Sequence, residues 1–269
     1  MTIQPQTSSR HPAKHITDLE FADDIALLAD SLDNAQHLLL SLQEAAALVG
    51  LHLNEGKTEY ISTSSSTDTT IISIDGSEIK TVTYFKYLGS WIMDSGKDYN
   101  TRKAQAWSAC NKLDRIWHSK LSDNIKIRLF QTTIQPILLY GSETWSLSSK
   151  QQKRLDGTYT SLLRRAQNIS WRQHKTLKEI YKGLPRISDV VCKRRVRVAG
   201  HCHRASNEAV SSLVLWKPRS TTSKKGRKLS YPDVISRDSC IEVQDLATAM
   251  SDRPFWKSVV ESISAKAAG

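Results

Sequence analysis

No run in this chain approaches the roughly 20 consecutive apolar residues that a bilayer span requires, which excludes a membrane-spanning helix. The first fifteen residues are polar and lack the apolar core of a secretory signal, so the protein is expected inside the cell, in nucleus or cytoplasm. Cysteine is scarce. Cys110, Cys192, Cys202 and Cys240 are widely spaced with no CxxC pair, which argues against a disulfide framework and leaves reduced thiols. Cys192, His201, Cys202 and His203 do not follow the spacing of a zinc finger, and three adjacent residues cannot readily face one ion; helix packing is their expected role. Internal repeats are also absent.

Acidic residues are the scarcer charge. The 269 residues carry a formal net charge of +11, and the excess is concentrated. From Lys150 to Lys228 the chain holds 21 Lys and Arg against 4 Asp and Glu. Such a bias suits a polyanionic partner, and nucleic acid is the expected one; a solvated basic surface is the plainer alternative.

The first third has the texture of short strands. Thr17 to Phe21 and Ile25 to Leu28 read as two strands about a tight turn at Ala22-Asp23-Asp24. A helix is expected over Leu32–Val49, with Ser31 as N-cap and Gly50 as C-cap. Asp75-Gly76 marks a hairpin between Ile71–Ile74 and Ser77–Val82, and Tyr84–Met93 is strand-rich around Gly89. Past Gly96 the pattern turns helical: Arg102–Trp117, then Asn124–Tyr140 with a kink or break at Pro136, then a helix capped by Ser148 running to about Asn168. Shorter helices are expected at 175–182, 188–204 and 241–249, and a flexible linker near 217–232. Trp107, Trp117 and Trp145 are expected in the core.

Two adjacent carboxylates at a hairpin tip repel each other, and nothing in the local sequence neutralises Asp23 and Asp24. A divalent cation would, and carboxylate oxygens are the hard ligands that Mg²⁺ takes. The apolar arms Leu19-Glu20-Phe21 and Ile25-Ala26-Leu27-Leu28 are expected to bury the base of the hairpin and hold the carboxylates rigidly. A solvated acidic turn is the bland reading of the same residues.

Phe21-Ala22-Asp23-Asp24 with Ile25-Ala26-Leu27-Leu28 resembles motif C of reverse transcriptases. Gly50-Leu51-His52-Leu53-Asn54-Glu55-Gly56-Lys57-Thr58-Glu59 resembles motif D, and Phe85-Lys86-Tyr87-Leu88-Gly89 resembles motif E, the primer grip. The three stand in the family's order. Arg197-Val198-Ala199-Gly200-His201 resembles, more loosely, a recurring segment of the C-terminal region. The chain as a whole is similar to the C-terminal part of a non-LTR (LINE-type) retrotransposon reverse transcriptase, an RNA-directed DNA polymerase.

The resemblance implies an α+β fold: a partial polymerase palm with a β-hairpin and short sheet, then a helical thumb bundle, then a basic helical C-terminal region. The corresponding divisions are a disordered leader at 1–15, the partial palm at 16–97, the thumb at 98–170 and the basic region at 171–269. It implies Mg²⁺ as cofactor, with Asp23 and Asp24 as ligands, and Lys57 as the cation beside the departing pyrophosphate. Tyr87, Leu88 and Gly89 would shape the turn against the primer. The implied partners are an RNA template and a DNA primer. Arg164 and Arg165 would contact phosphates, as would the clusters Lys193, Arg194, Arg195 with Arg197, and Lys224, Lys225, Arg227 with Lys228.

The family's motif A aspartate, motif B and fingers have no counterpart before Asp18. The metal site is therefore incomplete in this chain, and no polymerase activity is expected of it alone. A non-catalytic nucleic-acid-binding module derived from such an element is the alternative.

Overall fold

The computed structural model describes residues 2–4, 14–62, 73, 76–92, 94–205, 209–217 and 229–265. It divides into two compact units, Met1–Asp94 and Ser95–Gly269. The fold is mixed α and β, mostly helical, with small sheets.

In the first unit the described strands pair only two by two. Strands β1 (Thr2–Gln4) and β2 (Lys14–His15) form an antiparallel ladder, so the leader expected to be disordered holds paired backbone. Strands β3 (Asp18–Phe21) and β4 (Asp24–Leu27) form the expected hairpin, with Phe21 opposite Asp24. Helix α1 (Leu32–Leu48) starts where the Ser31 hydroxyl accepts from the Asn34 amide at 3.2 Å. It stops at Gly50, whose φ of 74° suits a residue without a Cβ. Strand β5 (Glu59–Tyr60) pairs in parallel with β6 (Lys80–Thr81). The arm Ile71–Ile74 of the expected hairpin lies outside the described residues except for Ser73. Strands β7 (Lys86–Tyr87) and β8 (Ser90–Trp91) close a hairpin through Leu88 and Gly89.

The core of this unit is thin. Leu39 and Ile79 are buried, with Leu27, Leu32, Ala35, Leu53 and Tyr60 packed around them. The apolar arms of the β3–β4 hairpin do not bury its base as expected: Phe21 is 63% exposed, and Leu19 and Ile25 are exposed too. Among the described residues only Leu27 of that hairpin reaches the core, where it packs with Leu32, Ala35 and Leu39 of α1, while no third strand pairs with the ladder.

Among the described residues the second unit holds helices and no strand. The expected helix over Arg102–Trp117 is two: α2 (Ser95–Lys112) and the single turn α3 (Asp114–Trp117). Helix α4 (Asp123–Leu138) accommodates Pro136 inside its last turn and ends two residues later. Helix α5 (Ser149–Ala166) opens with a capping box in which Ser148 and Gln151 bond reciprocally. Then come α6 (Leu177–Tyr181), α7 (Ile187–Arg204), α8 (Ala209–Leu213), α9 (Tyr231–Ser239), α10 (Leu246–Ser251) and α11 (Arg253–Ala265). No helix of the described residues is long and apolar enough to cross a membrane.

Two buried clusters flank α7. One gathers α2, α4 and α5 around Trp117, Phe130 and Leu162, and takes Ile187 and Val191 from the start of α7. The other takes Val196 and Ala199 from farther along α7 and packs them with Ile235, Leu246 and Trp256. The helices α2, α4 and α5 and the helices α9, α10 and α11 are thus joined through one continuous helix. Trp117 and Trp145 are core residues as expected, and the Trp145 indole donates to Asp98 Oδ2 at 2.8 Å; Trp107 packs at the edge.

Candidate functional site

The acidic turn is a two-residue connection, Ala22-Asp23, between β3 and β4. Ala22 has a φ of 54°, a left-handed conformation that costs a residue with a Cβ, and such strain gathers at working sites. Asp23 ends the turn and Asp24 begins β4; both side chains are exposed. No group of three or more His, Cys, Asp or Glu stands together to hold a metal among the described residues.

The β7–β8 hairpin turns through Leu88 at φ 47° and Gly89 at φ 83°. Two successive positive φ values match the twist of a tight hairpin, and Gly89 adopts one without penalty while Leu88 does not. The Tyr87 hydroxyl donates to the Leu19 carbonyl at 3.1 Å and lies 3.5 Å from that of Asp24. The first unit therefore brings the Tyr87 hairpin onto the strands that carry Asp23 and Asp24. Lys57 sits elsewhere on a turn in which its amide donates to the Asn54 carbonyl and side chain. Its side chain is exposed, and no hydrogen bond or ion pair among the described residues links it to either aspartate.

The basic residues of the second unit separate into distinct roles. Arg197 lies exposed on α7. Arg194 is half-buried with a guanidinium nitrogen 3.8 Å from Glu143 Oε1, and Lys193 is half-buried beside it. Arg195 is 0% exposed, so the expectation that it meets phosphate is wrong. Its guanidinium is consumed inside the protein, paired with Asp238 and donating to the Trp145 carbonyl at 2.8 Å. Arg165 is exposed but ion-paired with Asp114, and Arg164 donates to the Lys175 carbonyl at 3.1 Å. Lys224, Lys225, Arg227 and Lys228 lie outside the described residues.

Cys192 faces the second cluster, where burial, aided by the neighbouring Asp238, pushes its thiol up to about 12; Cys202 packs against the same cluster. A neutral thiol of this kind is a poor metal ligand and a poor nucleophile.

One exposed group went unread in the sequence. Trp171 begins a single 3-10 turn, Trp171–Gln173, after α5, and its side chain is 73% exposed with the Arg172 guanidinium carbon 5.6 Å from the ring centre. Leaving an indole in water forgoes roughly 2–3 kcal/mol of burial. In the sequence Trp171 is indistinguishable from the core tryptophans; the basic residues that follow it were the available signal.

A protein of Caenorhabditis elegans, uncharacterised and named as transposon-derived, is 27% identical to this chain over 267 residues, covering 92% of this chain and 96% of that protein. No family model and no solved structure matches the chain.

Proposed function

We propose that this chain originates from a mobile genetic element, as the C-terminal part of a non-LTR retrotransposon reverse transcriptase, and that by itself it binds nucleic acid without polymerising it. The similarity to a transposon-derived protein over most of both chains supports the origin. The observation that carries the finer reading is the Tyr87 hydroxyl laid across the hairpin of Asp23 and Asp24. Two segments that resemble separate polymerase motifs, more than sixty residues apart in the chain, meet in the fold.

Asp23 and Asp24 fit part of a magnesium site. They are exposed, adjacent and hard, and Mg²⁺ is commonly held by one or two carboxylates with phosphates and waters completing its shell. Among the described residues no third protein ligand joins them. When bound in a complete site, the metal lowers the pKa of an attacking hydroxyl and offsets the charge of the transferring phosphate. The residues here present two ligands on a strained turn, with Tyr87 fastening the turn's strands. The exposed apolar side chains Leu19, Phe21 and Ile25 are consistent with a hairpin shaped to be covered.

Arg197 and the neighbouring cations supply sequence-independent attraction to phosphate. Purified chain is titrated into a labelled RNA–DNA hybrid at several salt concentrations, then supplied with Mg²⁺ and deoxynucleotides. Binding that weakens steeply with salt, needs no metal, is unchanged in Asp23→Asn/Asp24→Asn, and gives no primer extension is the expected result. Extension by the chain alone overturns the non-catalytic part; absence of binding at low salt overturns the nucleic-acid part.

A further inference from the structure

The segment between α5 and α6 is held rigidly, yet displays its largest side chain to solvent. Helix α5 ends at Ala166; just beyond it Asn168 lies in the left-handed region at φ 54°, and Ile169 turns inward and is buried. The Ser170 hydroxyl accepts from the Arg172 amide at 3.4 Å, starting the 3-10 turn. His174, at φ 46°, ends it. Arg164 reaches from α5 to the Lys175 carbonyl, and a Thr176–Glu179 capping box fixes the start of α6. Below the loop, Gln167 Nε2 donates to the Ile180 carbonyl at 2.8 Å. Asn168 and His174 are of the residue types that enter the left-handed region most readily, so the chain reverses direction at both ends of the loop.

Along this stretch of the sequence the charge is of one sign, although in the fold Arg165 is paired with Asp114 of α3. From Gly157 to Lys178 the chain has Arg164, Arg165, Arg172, Lys175 and Lys178, and neither Asp nor Glu. Glu179 follows as an anion, its carboxylate accepting from the Thr176 amide and hydroxyl, which hold its pKa down. An indole face presented by a fixed loop among cations is the arrangement that takes an unpaired base by stacking while nearby cations hold its phosphates.

We propose that Trp171, with Arg172 and Lys175 beside it, is a stacking platform for an unpaired nucleobase of a single-stranded RNA or DNA. A base within a duplex is already stacked on both faces and cannot reach an indole, so the platform distinguishes single strands from duplexes. This rests on the nucleic-acid reading above and adds the form of partner to it.

The test uses the full chain and fluorescence anisotropy with three probes: single-stranded RNA of about 12 nucleotides, the same sequence as DNA, and the RNA–DNA hybrid, a length within the usual footprint of such sites. Trp171→Ala is expected to weaken single-strand binding roughly ten-fold and to change hybrid binding less than about two-fold, with Trp171→Phe close to the parent. The slope of log affinity against log salt stays unchanged in Trp171→Ala and flattens by about one in Arg172→Ala if that side chain holds a phosphate. Because Trp171 is exposed, its replacement leaves the thermal midpoint in place, which circular dichroism verifies. Loss on either single strand supports the platform, and comparing RNA with DNA shows which sugar it accepts. Parental single-strand affinity in Trp171→Ala, or equal loss on strands and hybrid, overturns it. A parent that binds none of the three probes overturns the nucleic-acid reading itself, whereas a binding parent with an unaffected Trp171→Ala overturns the platform alone.

Discussion

Arg195 on α7 and Asp238 on α9 form an ion pair whose side chains are 1% and 3% exposed. The pair lies where the two buried clusters of the helical unit meet. Arg195 also donates to the Trp145 carbonyl, and Arg237 reaches the second carboxylate oxygen of Asp238 at 3.0 Å. Buried charge is expensive to desolvate, and here each ion has a charged partner and further hydrogen bonds.

The pair has unequal consequences for its possible replacements. Asp238→Ala strands a buried guanidinium and is expected to cost about 3–5 kcal/mol, read as a lower urea midpoint. Arg195→Met with Asp238→Leu removes both charges and keeps apolar volume, and is expected to come out near the parent. That double variant should also keep the parent's salt slope on nucleic acid, because Arg195 touches no phosphate. A slope reduced by about one would return Arg195 to the interface.

Gly200 of α7 lies directly against the Trp256 side chain of α11. A Cβ there would overlap the Trp256 indole, whose nitrogen donates to the Val196 carbonyl at 2.8 Å. Glycine ordinarily weakens a helix, so Ala at an open site would stabilise it. At this site overpacking dominates, and Gly200→Ala is expected to destabilise by about 1–3 kcal/mol. Thermal melts followed by Trp emission would check it; a raised midpoint would show that the indole moves aside freely.

Acid should release the start of α9. Asp233 closes the capping box with Ser230 and pairs with Lys217 at 2.6 Å. Partial burial acts to raise its pKa, but the bonds from Lys217 and Ser230 outweigh this and bring it down to about 2. A carboxyl whose folded pKa lies below its unfolded value contributes stability above the unfolded value, near 3.8, and loses it as pH falls towards about 2. Asp233→Asn should therefore be less stable than the parent at neutral pH, with the gap narrowing between about pH 4 and pH 2. A gap independent of pH would assign the effect to something other than the charge.

Much of the local structure was written in neighbouring residues. Ser31 with Asn34 and Ser148 with Gln151 start helices through contacts three residues apart, and the paired strands about Ala22-Asp23 follow from a short turn between apolar arms. Helix α9 was equally legible: Ser230 stands three residues before Asp233, with Pro232 early in the helix, yet the polar composition of 217–232 pointed to a linker. Part of that stretch, 218–228, lies outside the described residues.

By itself the sequence determined where chains of backbone start and stop, which half is acidic at a turn and which half is basic, because these depend on contacts within a few residues or on composition. Tertiary structure alone decided what the charges do. Consecutive helical residues are turned about 100° from one another, so the run Lys193, Arg194, Arg195 and Arg197 could not all face solvent, and which one turned inward depended on Asp238, 43 residues away in the chain. The same holds for Trp171 against Trp117 and Trp145: one residue type, sorted into display or burial by what packs over it, which no local spacing records.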